Sequence, residues 1–291
     1  MNEKKIIRRL SAVGICGNIA LAALKMCAGI LGRSAAMISD AVHSLADVLA
    51  TLVACIGVLI SKKAPDRGHP YGHERIECVA SGLLGLILLA TGLAIGAGGA
   101  EKIAAGHYDE LATPSAPALI AAAVSIAVKE CMFWYTRHYS KMLGSSAFMA
   151  DAWHHRSDAL SALGSLIGIG GAMLGAPVME PAACVVICFF ILKVAFDTLR
   201  DAAGKLVDSS CGEKYEAALD SFISGQEGVE RIDALRTRRF GSRVCVDAEI
   251  AVDGSLSLAQ AHSIAESVHA AVESAYPDVK HIMIHENPAG E

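Results

Sequence analysis

Charge is scarce in this chain. Only 19% of its 291 residues are Asp, Glu, Lys or Arg, against about 25% in an ordinary soluble domain, and the mean hydropathy is +0.44. Where the deficit falls excludes a soluble protein. Six stretches nearly free of charge follow one another, at 10–31, 35–60, 76–100, 116–135, 147–174 and 178–199. Each is about 20 residues or more, the length a helix needs to cross roughly 30 Å of hydrocarbon. One or two such runs are found as core helices of soluble proteins; six in succession are not.

Two motifs are also missing. The nine Cys residues form no CxxC pair and lie mostly inside the apolar stretches, so they read as reduced, small hydrophobes. No HExxH occurs, and His73-Glu74 lacks the second His, which argues against a membrane metalloenzyme; no catalytic activity is expected. The opening MNEKKIIRRL resembles the front of a signal peptide, but no small-residue cleavage site stands out after it, and the segment is expected to be retained. A net charge of −5 is modest, and no nucleic-acid partner is expected.

The few basic residues are asymmetric. Lys4, Lys5, Arg8 and Arg9 precede the first stretch; Lys62, Lys63, Arg67 and Arg75 follow the second. Arg137 and Lys141 follow the fourth, and Arg200 and Lys205 the sixth. The alternate connections carry Arg33, then Lys102 beside Asp109 and Glu110, then Glu180. The positive-inside rule then predicts a multi-pass protein of the cell (inner) membrane, in contact with lipid, with both termini in the cytoplasm.

After residue 207 the composition becomes that of a soluble domain. The expected organisation is a six-helix transmembrane domain, 1–207, and a cytosolic domain, 208–291. In the latter, 213–223 reads as a helix, and 229–240 and 243–252 as strands joined by the Gly241-Ser242 turn. Val244, Val246, Ala248, Ile250 and Val252 alternate with polar residues. Ser257 with Gln260 makes a capping box for a helix reaching Tyr276, with Leu258, Ala261, Ala265, Val268 and Val272 on one face. A last strand runs over 279–285, ended by Pro288. The order αββαβ predicts a small α+β domain.

Ionisable side chains at mid-membrane cost roughly 2.5–3.5 kcal/mol each on insertion scales, so their presence needs a reason. The second stretch contains Asp40-Ala41-Val42-His43-Ser44-Leu45-Ala46-Asp47. The fifth contains Asp151-Ala152-Trp153-His154-His155-Arg156-Ser157-Asp158. Both spell D-A-x-H-x-x-x-D. Positions i and i+4 share a helix face, so His43 with Asp47, and His154 with Asp158, each present an imidazole and a carboxylate along one stripe. Facing stripes supply two N and two O ligands, a tetrahedral shell suited to Zn²⁺, while imidazole also suits other divalent transition metals. The alternative use of such groups is as interhelical hydrogen bonds. Asp40 and Asp151 lie a turn earlier, as outer ligands or helix-end contacts, and His155 and Arg156 point off the stripe.

A second cluster follows the second stretch. Asp66, His69 and His73, in D-R-G-H-P-Y-G-H, are spaced like the ligands of a peripheral metal site, or belong to a solvated polar loop. In the C-terminal domain Asp247 falls on a polar strand face, His281 and His285 share a face, and His262 and His269 share a helix stripe.

With six spans, the repeated HxxxD, the HPYGHERIE loop, HIMIHENP near the end and an α+β tail, the chain resembles the cation diffusion facilitator family over about residues 5–288. The resemblance implies a homodimeric secondary transporter exchanging cytoplasmic divalent metal for protons, with a ferredoxin-like cytosolic domain. It implies a transport site of His43, Asp47, His154 and Asp158, with His at the first position tilting the expectation to Zn²⁺, both as cargo and as regulatory ion. It implies a loop site of Asp66, His69 and His73, and a cytosolic site of Asp233, Asp247, His262 and His285. Asn287 stands where a bridging Asp is found in similar proteins, so a weaker or single cytosolic site is expected. Two rivals stay open at this point: selectivity for Mn²⁺, Fe²⁺ or Cd²⁺, and a metal sensor that moves no ions.

Overall fold

A computed structural model of the chain describes residues 3–31, 35–106, 116–173 and 179–290. It divides into two compact units, Met1–Ala202 and Ala203–Glu291. The helices of the first are α1 (Glu3–Leu31), α2 (Ala35–Ser61), α3 (Arg75–Ala105), α4 (Ala116–Leu143), α5 (Ser146–Met173) and α6 (Met179–Leu206), the last ending within the second unit. Each is 27 to 31 residues long, or about 40 Å or more at 1.5 Å per residue. Among the described residues, Lys5–Ala28 and Arg75–Ala105 are long and apolar enough to cross a membrane, and Asp47–Ser61 is a shorter apolar helical piece. In α4 and α5 the apolar runs are interrupted by Lys129, Glu130, Asp151, Arg156 and Asp158, and some of these build the site described below.

The helices outrun the low-charge stretches because their ends are amphipathic. At the start of α1, Ile6, Ile7 and Leu10 are buried while Lys5, Arg8 and Arg9 face outward. At the end of α4, Thr136, Ser140 and Leu143 are buried and His138, Lys141 and Met142 exposed. These buried ends join Ala50, Ala54 and Val58 of α2, Ala80 and Leu84 of α3, and Ala147, Phe148 and Ala150 of α5 in one apolar cluster. Small residues set the closest approaches, as expected where lipid supplies no hydrophobic drive between helices. Gly57 of α2 lies so near Ala80 of α3 that a β-carbon there would overlap the Ala80 methyl group.

The second unit contains α7 (Glu213–Ser224), β1 (Arg231–Phe240), β2 (Arg243–Asp253), α8 (Leu258–Ala275) and β3 (Val279–Ala289). The sheet order is β1-β2-β3, with β1 antiparallel and β3 parallel to β2. Val244, Val246, Ala248, Ile250 and Val252 of β2 form one core with Leu219 and Ile223 of α7, Val268 and Val272 of α8, and Ile282 of β3. Alternating residues on one strand therefore meet two amphipathic helices. At the start of α8 the Gln260 side-chain oxygen accepts the Ser257 backbone N–H at 3.0 Å and the Ser257 hydroxyl at 2.7 Å.

Two local expectations need correction. Leu258 is 83% exposed, because the first turn of α8 precedes its contact with the sheet. The last strand runs past 285, with Pro288 opposite Val252. A proline is tolerated there because β3 is an edge strand, where a missing N–H costs no ladder bond on the open side.

Replacing Gly57 by Leu is expected to force α2 from α3 and destabilise the membrane unit by about 1–3 kcal/mol, the usual range for overpacking. A fall in the detergent melting temperature of the full chain would register it, whereas an unchanged melt would mean that the approach of Gly57 to Ala80 is not close.

Candidate metal centre

Helices α2, α4 and α5 bring charged side chains to one buried point. Asp47 of α2, and His154 and Asp158 of α5, each offer a ligand atom within 4.8 Å of the others. The side chains of Asp47, His154 and Asp158 are 2%, 3% and 7% exposed. His154 Nε2 lies 3.4 Å from Asp47 Oδ1 and 3.9 Å from Asp158 Oδ2. Neither ring nitrogen of His154, nor Oδ1 of Asp158, has a hydrogen-bond partner among the described residues. Buried polar atoms left in this way are costly, and the carboxylate and imidazole lone pairs that converge here suit a cation. The donor set, two carboxylates and an imidazole, fits a divalent transition metal. The side chain of His43 lies outside the described residues, as does that of Asp40.

The same point holds a cation of the chain itself. Lys129 of α4 donates from Nζ to Asp47 Oδ2 at 2.6 Å and to Asp158 Oδ2 at 2.7 Å, and its side chain is 3% exposed. A second buried lysine, Lys25 of α1, donates to Ser44 Oγ of α2 at 2.8 Å. Asp151 stands apart from the cluster: it accepts from Thr51 Oγ1 at 3.1 Å and lies 3.7 Å from His155 Nε2. Arg156 packs over the Phe133 ring at 4.4 Å and pairs with Glu130, off the His154–Asp158 stripe.

The loop between α2 and α3 gathers its three predicted residues. Asp66 Oδ1 accepts the backbone N–H groups of Gly68 and His69 at 3.0 and 2.9 Å, an Asx-type turn that folds the chain back. His69 Nδ1 lies 3.2 Å from Asp66 Oδ1 and His73 Nε2 3.4 Å from Oδ2, with the two rings 4.4 Å apart. His73 is buried and His69 exposed. Asp66 also accepts from Lys63 Nζ at 2.8 Å. That bond, with the His69 backbone N–H and side chain, holds the Asp66 carboxyl well below the ordinary carboxylate range.

The four cytosolic candidates are not brought together within this chain. Among the described residues, no group of three or more metal-ligating side chains includes Asp233, Asp247, His262 and His285. Asp233 binds Arg231 at 2.6 Å and accepts from Asn287 at 3.0 Å, which together lower its pKa. His262 lies 3.8 Å from Glu286, and the neighbour His285 projects from the opposite face of β3, because successive strand residues alternate. Asp247 stands opposite Met283, and His285 opposite Glu249.

Comparison with known proteins adds an independent observation. The family described as cation efflux transmembrane domain matches residues 11–207, and the cation efflux protein cytoplasmic domain matches 212–289. The chain belongs to the cation diffusion facilitator family. Metal tolerance protein C1 of Arabidopsis thaliana is 32% identical over 97% of this chain, which spans 62% of that protein's length. An uncharacterised transporter of Methanocaldococcus jannaschii is 34% identical over 90% of the chain and 92% of its own length. The manganese efflux system protein MneP of Bacillus subtilis is 27% identical, over 98% and 97%.

Within this facilitator chain, sequence reasoning passed over Lys25 and Lys129. The signal for both was present: a Lys in the middle of a low-charge stretch is as costly as the Asp and His that were singled out.

The lowered pKa of Asp66 has a defined pH consequence. A carboxylate held below its unfolded pKa of about 3.9 contributes stability that is present above that value and is lost as pH falls through the lower folded pKa. Hydrogen-exchange protection of the Gly68 and His69 amides is therefore expected to be constant from pH 8 to about pH 5 and to fall only in stronger acid. Asp66→Ala should remove the protection at every pH; protection lost already near pH 6 would contradict the assignment.

Proposed function

We propose that the chain exports divalent transition metal from the cytoplasm in exchange for protons, with Zn²⁺ its first cargo, as a homodimer of six-span subunits whose termini and αββαβ, ferredoxin-like domain are cytoplasmic. The observation that carries this reading is the convergence of Asp47, His154 and Asp158 in a buried point between helices. His43, one turn from Asp47 on α2, supplies the fourth ligand and the second imidazole that favours zinc over harder ions. The loop triad of Asp66, His69 and His73 is a peripheral site of the same ion class. Dimerisation and the residue-207 boundary rest on the family resemblance and on the change of composition there.

Proton exchange follows from ligand chemistry. A metal needs ionised carboxylate and a neutral imidazole nitrogen, so binding at Asp47, His154 and Asp158 excludes protons from the same atoms. Facing the cytoplasm, metal displaces protons; facing the other side, protons displace metal. A site that stays fixed while helices rock about it gives access to each side in turn.

Manganese is the second reading. Two of the three described ligand residues are carboxylates, which suit Mn²⁺ better than an imidazole-rich shell, and one relative is named for manganese efflux.

Metal-driven proton flux in vesicles reconstituted with the full chain tests both. Zn²⁺ is expected to drive the largest flux among Zn²⁺, Mn²⁺, Fe²⁺ and Cd²⁺, and Asp47→Ala, His154→Ala and Asp158→Ala should each cut it about a hundredfold or more, as loss of a buried charged partner predicts. Metal bound by the wild type without any flux would establish a sensor instead; a larger Mn²⁺ flux would decide for manganese.

A further inference from the structure

We propose that Lys129 is a tethered competitor for the transported ion: its ammonium group stands in for the metal between Asp47 and Asp158, and metal binds only when that side chain swings out. The inference rests on the assignment of Asp47, His154 and Asp158 as the transport site.

Lys129 uses the oxygens that a bound metal would use. Its Nζ donates to Oδ2 of both aspartates, at 2.6 and 2.7 Å. These carboxylates come from two different helices, and the lysine from a third, so the contact is not an accident of one helix face. The distances are those of charge-assisted hydrogen bonds, and all three side chains are buried. A metal ion held by those carboxylates takes the same lone pairs at about 2.0–2.2 Å. A dication so held would then face an ammonium a few ångström away, with little water to screen the repulsion. Metal and ammonium are thus alternative occupants.

The charges agree with this exchange. Two carboxylates balance one divalent ion; with Lys129 inserted they are half balanced without it. His154 lies beside the same carboxylates, yet neither of its ring nitrogens nor Asp158 Oδ1 has a hydrogen-bond partner among the described residues. The ammonium therefore occupies one oxygen of each carboxylate and leaves Asp158 Oδ1 and the imidazole presented. A merely structural ion pair has no need of a third ligand at its side. Lysine suits the exchange because its compact charge sits on a flexible four-carbon stem, whereas a guanidinium would grip both carboxylates as a planar fork.

The consequence for the established class of activity is in affinity. When a binding-competent state is populated only in part, the apparent affinity is reduced by that fraction. Lys129 sets the fraction, keeping the site weak enough to release its cargo and giving preference to ions that bind carboxylate strongly enough to expel it.

Equilibrium metal binding by the purified full chain at one fixed pH tests the proposal, with Zn²⁺ and Mn²⁺ as probes and calorimetry as the readout. Lys129→Met is expected to bind both ions about tenfold or more tightly than the wild type, since the competent fraction rises towards one. Lys129→Arg is expected to bind them about tenfold or more weakly, because the fork is harder to displace. Size-exclusion profile and metal-free melting temperature report whether each variant folds; should the Met variant fail, the Arg variant decides alone. Asp47→Ala in the Lys129→Met background should abolish the tight binding. If affinity is unchanged or weaker in Lys129→Met while Asp47 is still required, the competitor role is overturned and the site stands. If Asp47→Ala leaves the tight binding intact, the ion sits elsewhere and both readings fall.

Discussion

The contact on which the membrane unit depends is the buried bridge from Lys129 to Asp47 and Asp158. Taking a carboxylate out of water costs several kcal/mol even after relaxation, and two of them sit here side by side. Their mutual repulsion is relieved by a cation close to both, since like charges 4 Å apart interact by roughly 4 kcal/mol at an effective dielectric constant of 20. The bridge ties α2, α4 and α5 to one another at fixed rotation. A turn of any of these helices by one residue, about 100°, would carry its charged group out of reach and leave a partner stranded. Lipid cannot distinguish one apolar helix face from another, but a stranded aspartate can.

Other polar contacts extend the same logic. Thr51 of α2 meets Asp151 of α5, and Lys25 of α1 meets Ser44 of α2. Helices α1, α2, α4 and α5 are thus held in register by buried hydrogen bonds and ion pairs. Where Gly85 and Gly96 of α3 approach α6 the contact is of another kind. A β-carbon at Gly85 of α3 would lie 2.9 Å from Leu199 of α6, and one at Gly96 would lie 2.6 Å from the Cys188 sulfur. Those two approaches are set by shape. The division is useful in a carrier. A dry face tolerates small sliding because no bond is broken, whereas a polar contact has two discrete states, made and unmade. Discrete states are what a ligand can bias through a difference in affinity.

How much of this was legible depends on the range of the interactions. The approach of Asp47 to His154 and Asp158 was readable because a period of four residues is a statement about a single helix, and the repetition of the motif in α2 and α5 suggested that the two faces meet. The loop triad was readable for the same reason: Asp66, His69 and His73 lie within eight residues, and the glycines and proline among them announce a turn. Strands β1 and β2 followed from alternation and from Gly241. What could not be read was the position of α4. Nothing in its own sequence says that Lys129 faces α2 and α5; that is a property of three helices packed together. Lysine is also the residue whose charge is most easily excused in a span, since its long stem lets the head reach an interface. The cytosolic candidates are a different case. They were placed by likeness to other proteins, and in this chain His262 and His285 project from elements that put them on opposite sides of the sheet.

A common pattern links the three sets of candidate ligands. Each contains an aspartate already held by a basic side chain of the chain itself: Asp47 and Asp158 by Lys129, Asp66 by Lys63, and Asp233 by Arg231. The chemistry is alike but the setting is not. Lys63 and Arg231 are 61% and 49% exposed, and exposed ion pairs are worth only about 0–1 kcal/mol. A metal arriving at the loop displaces such a pair at almost no cost, because water receives the freed ammonium. At the buried centre no water waits for Lys129, so its departure is coupled to what replaces it. The same pairing of aspartate with a cation that is incidental at the surface is therefore decisive in the interior, where one positive charge can leave the carboxylates only when another takes its place.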